Sequence, residues 1–198
     1  CNSQEFFLAP TPSTVTVVAT PTPLPGQTPG DLGNEDDLLV NTYHRTSPAV
    51  VYIKLLVQED GALVPLGSGS GFVIDAAGHI ITNNHVVEQA DAVSVTFSNG
   101  SVIDAEIRGQ DAYSDLAVIQ AETLPAGLAP LTLGDSSTLQ VGQRVIAIGN
   151  PFGLEGTMTT GIDSGVGRML PAQLSEAGAI SIPEAIQTDA AITPGNAG

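Results

Sequence analysis

Gly71-Phe72-Val73-Ile74-Asp75-Ala76-Ala77-Gly78-His79-Ile80-Ile81-Thr82-Asn83-Asn84-His85-Val86-Val87 carries the clearest strand-turn-strand pattern in the chain. Two short β-rich runs, Gly71 to Asp75 and His79 to Thr82, flank the turn residues Asp75 to Gly78, which is the pattern of a hairpin. Outward from it stand four more runs of the same kind: Ala49 to Val57, Ala92 to Phe97, Val102 to Ile107 and Leu116 to Gln120. Turn residues separate them, including Asp60-Gly61 and Asn99-Gly100. Six short strands in about 75 residues, with no helical crossover of useful length, predict an all-β antiparallel barrel rather than a parallel α/β sheet.

On either side of this unit the character of the chain changes. Residues 9 to 34 carry Pro10, Pro12, Pro21, Pro23, Pro25 and Pro29 among Thr and Gly. Such a segment keeps no hydrogen-bond ladder and buries too little to offset its ordering entropy, so residues 1–34 are expected to be a disordered, extended linker. Glu35 to Thr46 predicts a short helix, with Asn34 as N-cap, acids in the positive first turn, Leu38, Leu39 and Tyr43 as the apolar stripe, and Pro48 as the stop. The loop-like stretch 121 to 141 separates the first barrel from renewed strand pattern at Gln143 to Gly149, Thr157 to Val166 and near Ala185 to Ile192. The expected units are therefore a linker over 1–34, a helix and first barrel over 35–125, and an inter-barrel loop with an incomplete second barrel over 126–198.

Composition narrows the function classes. The net charge of −16 arises from 21 acidic residues against five Lys and Arg, which repels phosphate backbones and anionic lipid and argues against nucleic-acid binding. No apolar run approaches the roughly 20 residues that a membrane-spanning helix needs. The single cysteine is Cys1, so neither an internal disulfide framework nor a thiolate metal cluster is expected. A chain that begins with Cys and continues into a spacer is similar to a mature bacterial lipoprotein, which makes Cys1 the expected lipidation site and membrane tether.

The chemistry-bearing residues come in the order His, Asp, turn. His85 stands in Thr82-Asn83-Asn84-His85-Val86-Val87, where the two valines bury one side of the turn. Asp115, in Ser114-Asp115-Leu116-Ala117-Val118, sits where the chain enters the core, and a hydrogen bond to an imidazole N–H would offset the cost of burying its carboxylate. Asp111 is its competitor. His79 and His44 lack such context and read as turn and helix-surface residues. The segment Ala191-Ile192-Thr193-Pro194-Gly195-Asn196-Ala197-Gly198 reads as a tight turn whose backbone N–H groups would converge on one oxygen. With Ser at its apex such a turn is an acyl-transfer nucleophile with its oxyanion hole. Here the apex is Ala197.

Taken together these blocks resemble the trypsin-like serine proteases of the HtrA/Deg family, from about residue 35 onward. The resemblance implies two antiparallel six-stranded β-barrels of the chymotrypsin/trypsin type. It implies His85 as general base and acid, Asp115 as its orienting anion, position 197 as the nucleophile site, and Gly195 with Ala197 as oxyanion-hole donors. Ile192 and Thr193 would line the substrate pocket, where Ala191 and Ile192 supply no acidic floor, so that a modest apolar side chain is expected before the scissile bond. Asp189 reads as structural. Gly67 to Ile74 and Gly142 to Gly153 also match the family and read as scaffold. Thr193 stands for the family's usual Asn and Asp163 for its usual apolar residue. By the same resemblance the long loop Gly167 to Pro183 is expected to gate assembly of the oxyanion hole.

No metal or organic cofactor is implied. The expected partners are unfolded or peptide substrates, in an extracytoplasmic, periplasmic or cell-surface location, with a homotrimer by family analogy. With Ala at position 197 the chain should bind peptide but hardly cleave it. A deliberate Ser-to-Ala exchange, a natural pseudoprotease serving as a peptide-binding or chaperone module, and an artefact at a fragment end all leave this pattern. Drift in a pseudoprotease would be expected to erode His85 or Asp115 as well, and neither has changed.

Overall fold

The computed structural model describes residues 35–150, 156–171 and 181–192. Cys1 and the Pro-rich segment lie outside them, as do Thr193, Gly195 and Ala197. The chain runs α1 (Glu35–Thr46), a 3-10 turn (Ser47–Ala49), β1 (Val50–Glu59), β2 (Ala62–Val73), β3 (His79–Asn83), α2 (Asn84–Val87), β4 (Ala92–Thr96), β5 (Val102–Asp111) and β6 (Leu116–Ala121). A second 3-10 turn (Ser136–Thr138) precedes β7 (Arg144–Gly149), β8 (Thr157–Pro171) and β9 (Ser181–Thr188).

Strands β1 to β6 form a closed antiparallel barrel in the order β1-β2-β3-β6-β5-β4, and β7-β8-β9 form a three-stranded antiparallel sheet. This is the all-β, antiparallel architecture expected from the strand pattern, with the second unit a three-stranded sheet among the described residues. Period-two alternation explains the closure: Val51, Ile53 and Leu55 of β1 point inward, as do Ala117, Ile119 and Ala121 of β6, and all are buried. Each fully buried Ile or Val contributes about 1.5–3 kcal/mol relative to exposure. Leu124, Leu128 and Leu131, from the connecting stretch, pack against the same core, and the Leu131 N–H donates to the Val73 carbonyl at 2.8 Å.

Three expectations about extents are corrected. The strand ending in Val73 begins at Ala62, because main-chain pairing with β1 continues through Gly67 to Gly71 although few large side chains mark it. At Gly71 a Cβ would stand 2.8 Å from the Ile81 carbonyl oxygen and 2.8 Å from Ile53 Cδ1, so a glycine is needed there for close strand packing rather than for a turn. Strand β5 runs past Ile107 to Asp111 over a bulge, its polar end pairing with Ala117 and Leu116. The expected long loop over 167–183 is shorter: residues to Pro171 extend β8 and residues from Ser181 belong to β9.

The helix is placed as expected, but its buried face is not Leu38, Leu39 and Tyr43. Leu38 is exposed, while Leu39, Thr42, Tyr43 and Thr46, at helical spacing, face inward. The polar anchor decides this rotation, because Tyr43 Oη donates to the Gly156 carbonyl at 2.8 Å. The helix thus docks on the approach to β8. Asp163, the departure noted in β8, is fully buried; its Oδ1 accepts from the Gly165 N–H at 3.1 Å and its Oδ2 has no hydrogen-bond partner among the described residues.

Replacing Gly71 by Ala should cost about 1–3 kcal/mol of stability, since backbone on the neighbouring strand must move. Urea denaturation reads this directly, and an unchanged midpoint would contradict the packing described here.

Candidate active site

The last rung of the β3–β6 ladder pairs Asn83 with Leu116. That register puts the one-turn helix α2 directly beside Asp115, across 30 residues of sequence. Val86 and Val87 are buried in the barrel core, and their burial leaves the His85 side chain on the open side, 46% exposed.

Asp115 adopts φ 54°, a left-handed conformation uncommon for a residue other than glycine. Backbone and side chains of residues 83 to 85 hold it there. The Asn84 N–H and Asn83 Nδ2 both donate to the Asp115 carbonyl at 3.0 Å. The His85 N–H donates to Asp115 Oδ1 at 2.9 Å, and Asn83 Nδ2 reaches Oδ2 at 3.2 Å. His85 Nδ1 stands 2.8 Å from the same Oδ2. An ionised carboxylate only accepts, so Nδ1 carries the proton and Nε2 is left as the basic nitrogen. The bond to Asp115 raises the His85 pKa above its ordinary value near 6.5; partial burial opposes this, and the charges of Asp115 and Glu88 reinforce it. Asn84 Nδ2 donates to Glu88 Oε2 at 3.2 Å and so keeps that second carboxylate nearby.

Asp111 is engaged in its own turn. It accepts from Ser114 Oγ at 2.7 Å and from the Tyr113 N–H at 2.9 Å, and the serine bond holds its carboxyl below the usual range. His79 forms a second His–carboxylate pair, with Nδ1 at 2.6 Å from Asp75 Oδ2, while the Ala77 and His79 N–H groups donate to Asp75 Oδ1. This pair locks the β2–β3 turn, in keeping with its reading as a turn residue.

The chain leading toward position 197 is held by β8. Asp189 Oδ1 accepts from the Ile162 N–H at 2.7 Å, Thr188 Oγ1 donates to the Ile162 carbonyl at 2.9 Å, and Thr159 Oγ1 donates to the Ala191 carbonyl at 2.8 Å. A side chain at Gly161 would collide with the Ala190 backbone and approach Asp189 Oδ1 to 2.5 Å. Asp189 is therefore a structural carboxylate, and Ile192 follows this clamp, half-buried. The two units meet where the Asn150 N–H donates to Ser70 Oγ at 3.0 Å while the Ser70 carbonyl accepts from Thr82 Oγ1 at 2.7 Å. Gly195, Ala197 and Thr193, and with them the oxyanion-hole reading, lie outside the described residues. Sequence reasoning assigned no role to Asn83; its only signal was its place two residues before His85.

The trypsin-like peptidase domain family matches residues 69–198. Protease Do-like 1, chloroplastic, of Arabidopsis thaliana is 44% identical over 177 residues, which cover 86% of this chain and 40% of that protein. Putative serine protease HhoA of Synechocystis sp. is 49% identical over 136 residues, covering 67% and 33%. Periplasmic serine endoprotease DegP of Salmonella typhimurium is 47% identical over 131 residues, covering 66% and 26%. The crystal structure of Deg5 matches with a TM-score of 0.69 at 42% identity, over 85% of this chain and 80% of that one. The chain spans about half or less of the length of these curated relatives.

Because the folded-state pKa of His85 is raised, its pairing with Asp115 stabilises the fold fully below the ordinary histidine value and ceases to do so as pH rises through the folded value. The stability lost on Asp115→Asn should accordingly be larger near about pH 5.5 than on the alkaline side of the transition. Denaturation across that range tests this, and a pH-independent difference would contradict it.

Proposed function

The chain belongs to the trypsin-like peptidase family, among its HtrA/Deg members, and from that premise we propose a serine endopeptidase site that cleaves unfolded or exposed protein segments in extracytoplasmic quality control. The observation that carries this reading is the His85–Asp115 pair, with Nδ1 committed to the carboxylate and Nε2 left as the basic nitrogen. A base held this way can take a proton from a hydroxyl at position 197 as its oxygen attacks a peptide carbonyl. It can then return that proton to the leaving amine, while backbone N–H groups of Gly195 and residue 197 receive the charge that develops on the carbonyl oxygen. Water repeats the sequence to release the acyl group. Asp115 stays ionised throughout and stabilises the imidazolium.

With Ala at position 197 there is no hydroxyl to activate, and the chain as it stands is read as inactive in peptide cleavage. Ile192 and Thr193 are assigned to the substrate pocket, whose apolar character favours Val, Ile, Ala or Leu before the scissile bond. The location rests on relatives whose names place them in the periplasm, such as DegP of Salmonella typhimurium, although others are named as chloroplastic. Tethering through Cys1 and a homotrimer complete the proposal.

A second reading is favoured by Ala197 itself: a peptide-binding or chaperone module that uses the same site without cutting. The two part at one substitution. Ala197→Ser should create cleavage of an unfolded reporter protein, by about a millionfold over the parent chain, and His85→Ala in that background should remove it. Capture of the reporter by the parent with no cleavage by the serine form would replace the peptidase with the binding module.

A further inference from the structure

Asn83 is 2% exposed, and its amide sits between two groups that can only accept, the Asp115 carbonyl and the Asp115 carboxylate. That surrounding fixes which way the amide faces, because the opposite flip would set its oxygen against both. The consequence is a buried Oδ1 with no hydrogen-bond partner among the described residues. A buried acceptor left unpaired destabilises a fold, so an apolar side chain of similar size would suit the barrel better at this position. What Asn83 does in return is local. Its amino group bridges the main-chain oxygen of Asp115 and its Oδ2, at 3.0 and 3.2 Å, and so ties the left-handed backbone of that residue to the direction of its carboxylate.

We propose that Asn83 is a positioning residue of the His85 site, a buried clamp that keeps Asp115 in its left-handed conformation with Oδ2 aimed at His85 Nδ1. Two effects of the amide oppose each other, which makes the claim decidable. As a donor to Oδ2 it competes with His85 and makes the carboxylate less basic; as a clamp it keeps the carboxylate under the ring at all. With φ at 54° the second effect governs, because an aspartate released from this conformation swings its carboxylate away from Nδ1.

The kinetic part of this inference rests on the proposed peptidase reading, whereas its structural part does not. In the parent chain, NMR titration of the His85 ring should show the pKa falling toward the ordinary histidine range in Asn83→Ala. The same fall is expected in Asn83→Leu, which fills the space, removes the unpaired oxygen and should fold at least as stably as the parent. In an Asp115→Asn background neither substitution should move His85 further. An unchanged or increased His85 pKa in both single variants would overturn the clamp, as would an undiminished effect without the Asp115 carboxylate. In the Ala197→Ser form, Asn83→Leu should lower kcat on the order of 10- to 100-fold with little change in KM. An Ala197→Ser form that cleaves nothing would remove the peptidase reading and leave the titration result standing. Cleavage at an undiminished kcat in Asn83→Leu would remove the clamp alone.

Discussion

The arrangement depends on one constraint, the left-handed backbone at Asp115. A residue with a β-carbon resists this conformation, and here five hydrogen bonds from residues 83 to 85 converge on Asp115. The donors stand in place because β3 and β6 end together at the Asn83–Leu116 rung, so that one chain turns into α2 just as the other enters its strand. The barrel is thus more than a platform for His85. Its closure brings the two ends of this contact together, and the buried valines of α2 leave the ring its freedom on the opposite side.

The three-stranded sheet makes a corresponding provision for the segment that leads to position 197. Thr159, Gly161 and Ile162 on β8 receive residues 188 to 191 through side-chain and main-chain hydrogen bonds, and glycine at 161 permits a backbone approach that any other residue would prevent. The same strand begins next to Gly156, on which Tyr43 anchors the N-terminal helix, so helix and turn-bearing segment refer to one element. The bond between Asn150 and Ser70 then joins this unit to β2 of the barrel that carries His85.

Much of this was legible in the sequence, for physical reasons that differ by residue. The barrel showed itself because β1 and β6 are short apolar runs, β4 and β5 alternate apolar and polar side chains, and the turns between strands carry Asp-Gly and Asn-Gly. His85 and Asp115 showed themselves because each lies inside a contiguous block. Register is a different matter. That Asn83 faces Asp115 follows from a pairing across 32 residues, which no local pattern encodes. The first part of β2, Ala62 to Ser70, was hidden because its Gly, Ser and Pro residues carry no strand signature, although its backbone still pairs with β1. The buried face of α1 was misjudged at Leu38 because a hydrogen bond from Tyr43, and not the apolar residues alone, sets the rotation of the helix. Asp163 was noticed as a departure, but only the fold shows that it is fully buried with one oxygen unpaired among the described residues.

In the proposed reading, His85, held by Asp115, activates a hydroxyl at position 197. Intact-protein mass spectrometry after exposure of the Ala197→Ser form to a fluorophosphonate tests it without knowledge of any substrate. One phosphonyl adduct is expected, placed on residue 197 by peptide mapping, formed quickly with His85 and Asp115 intact and lost on His85→Ala. Absence of the adduct from the serine form, or equal labelling without His85, would contradict it.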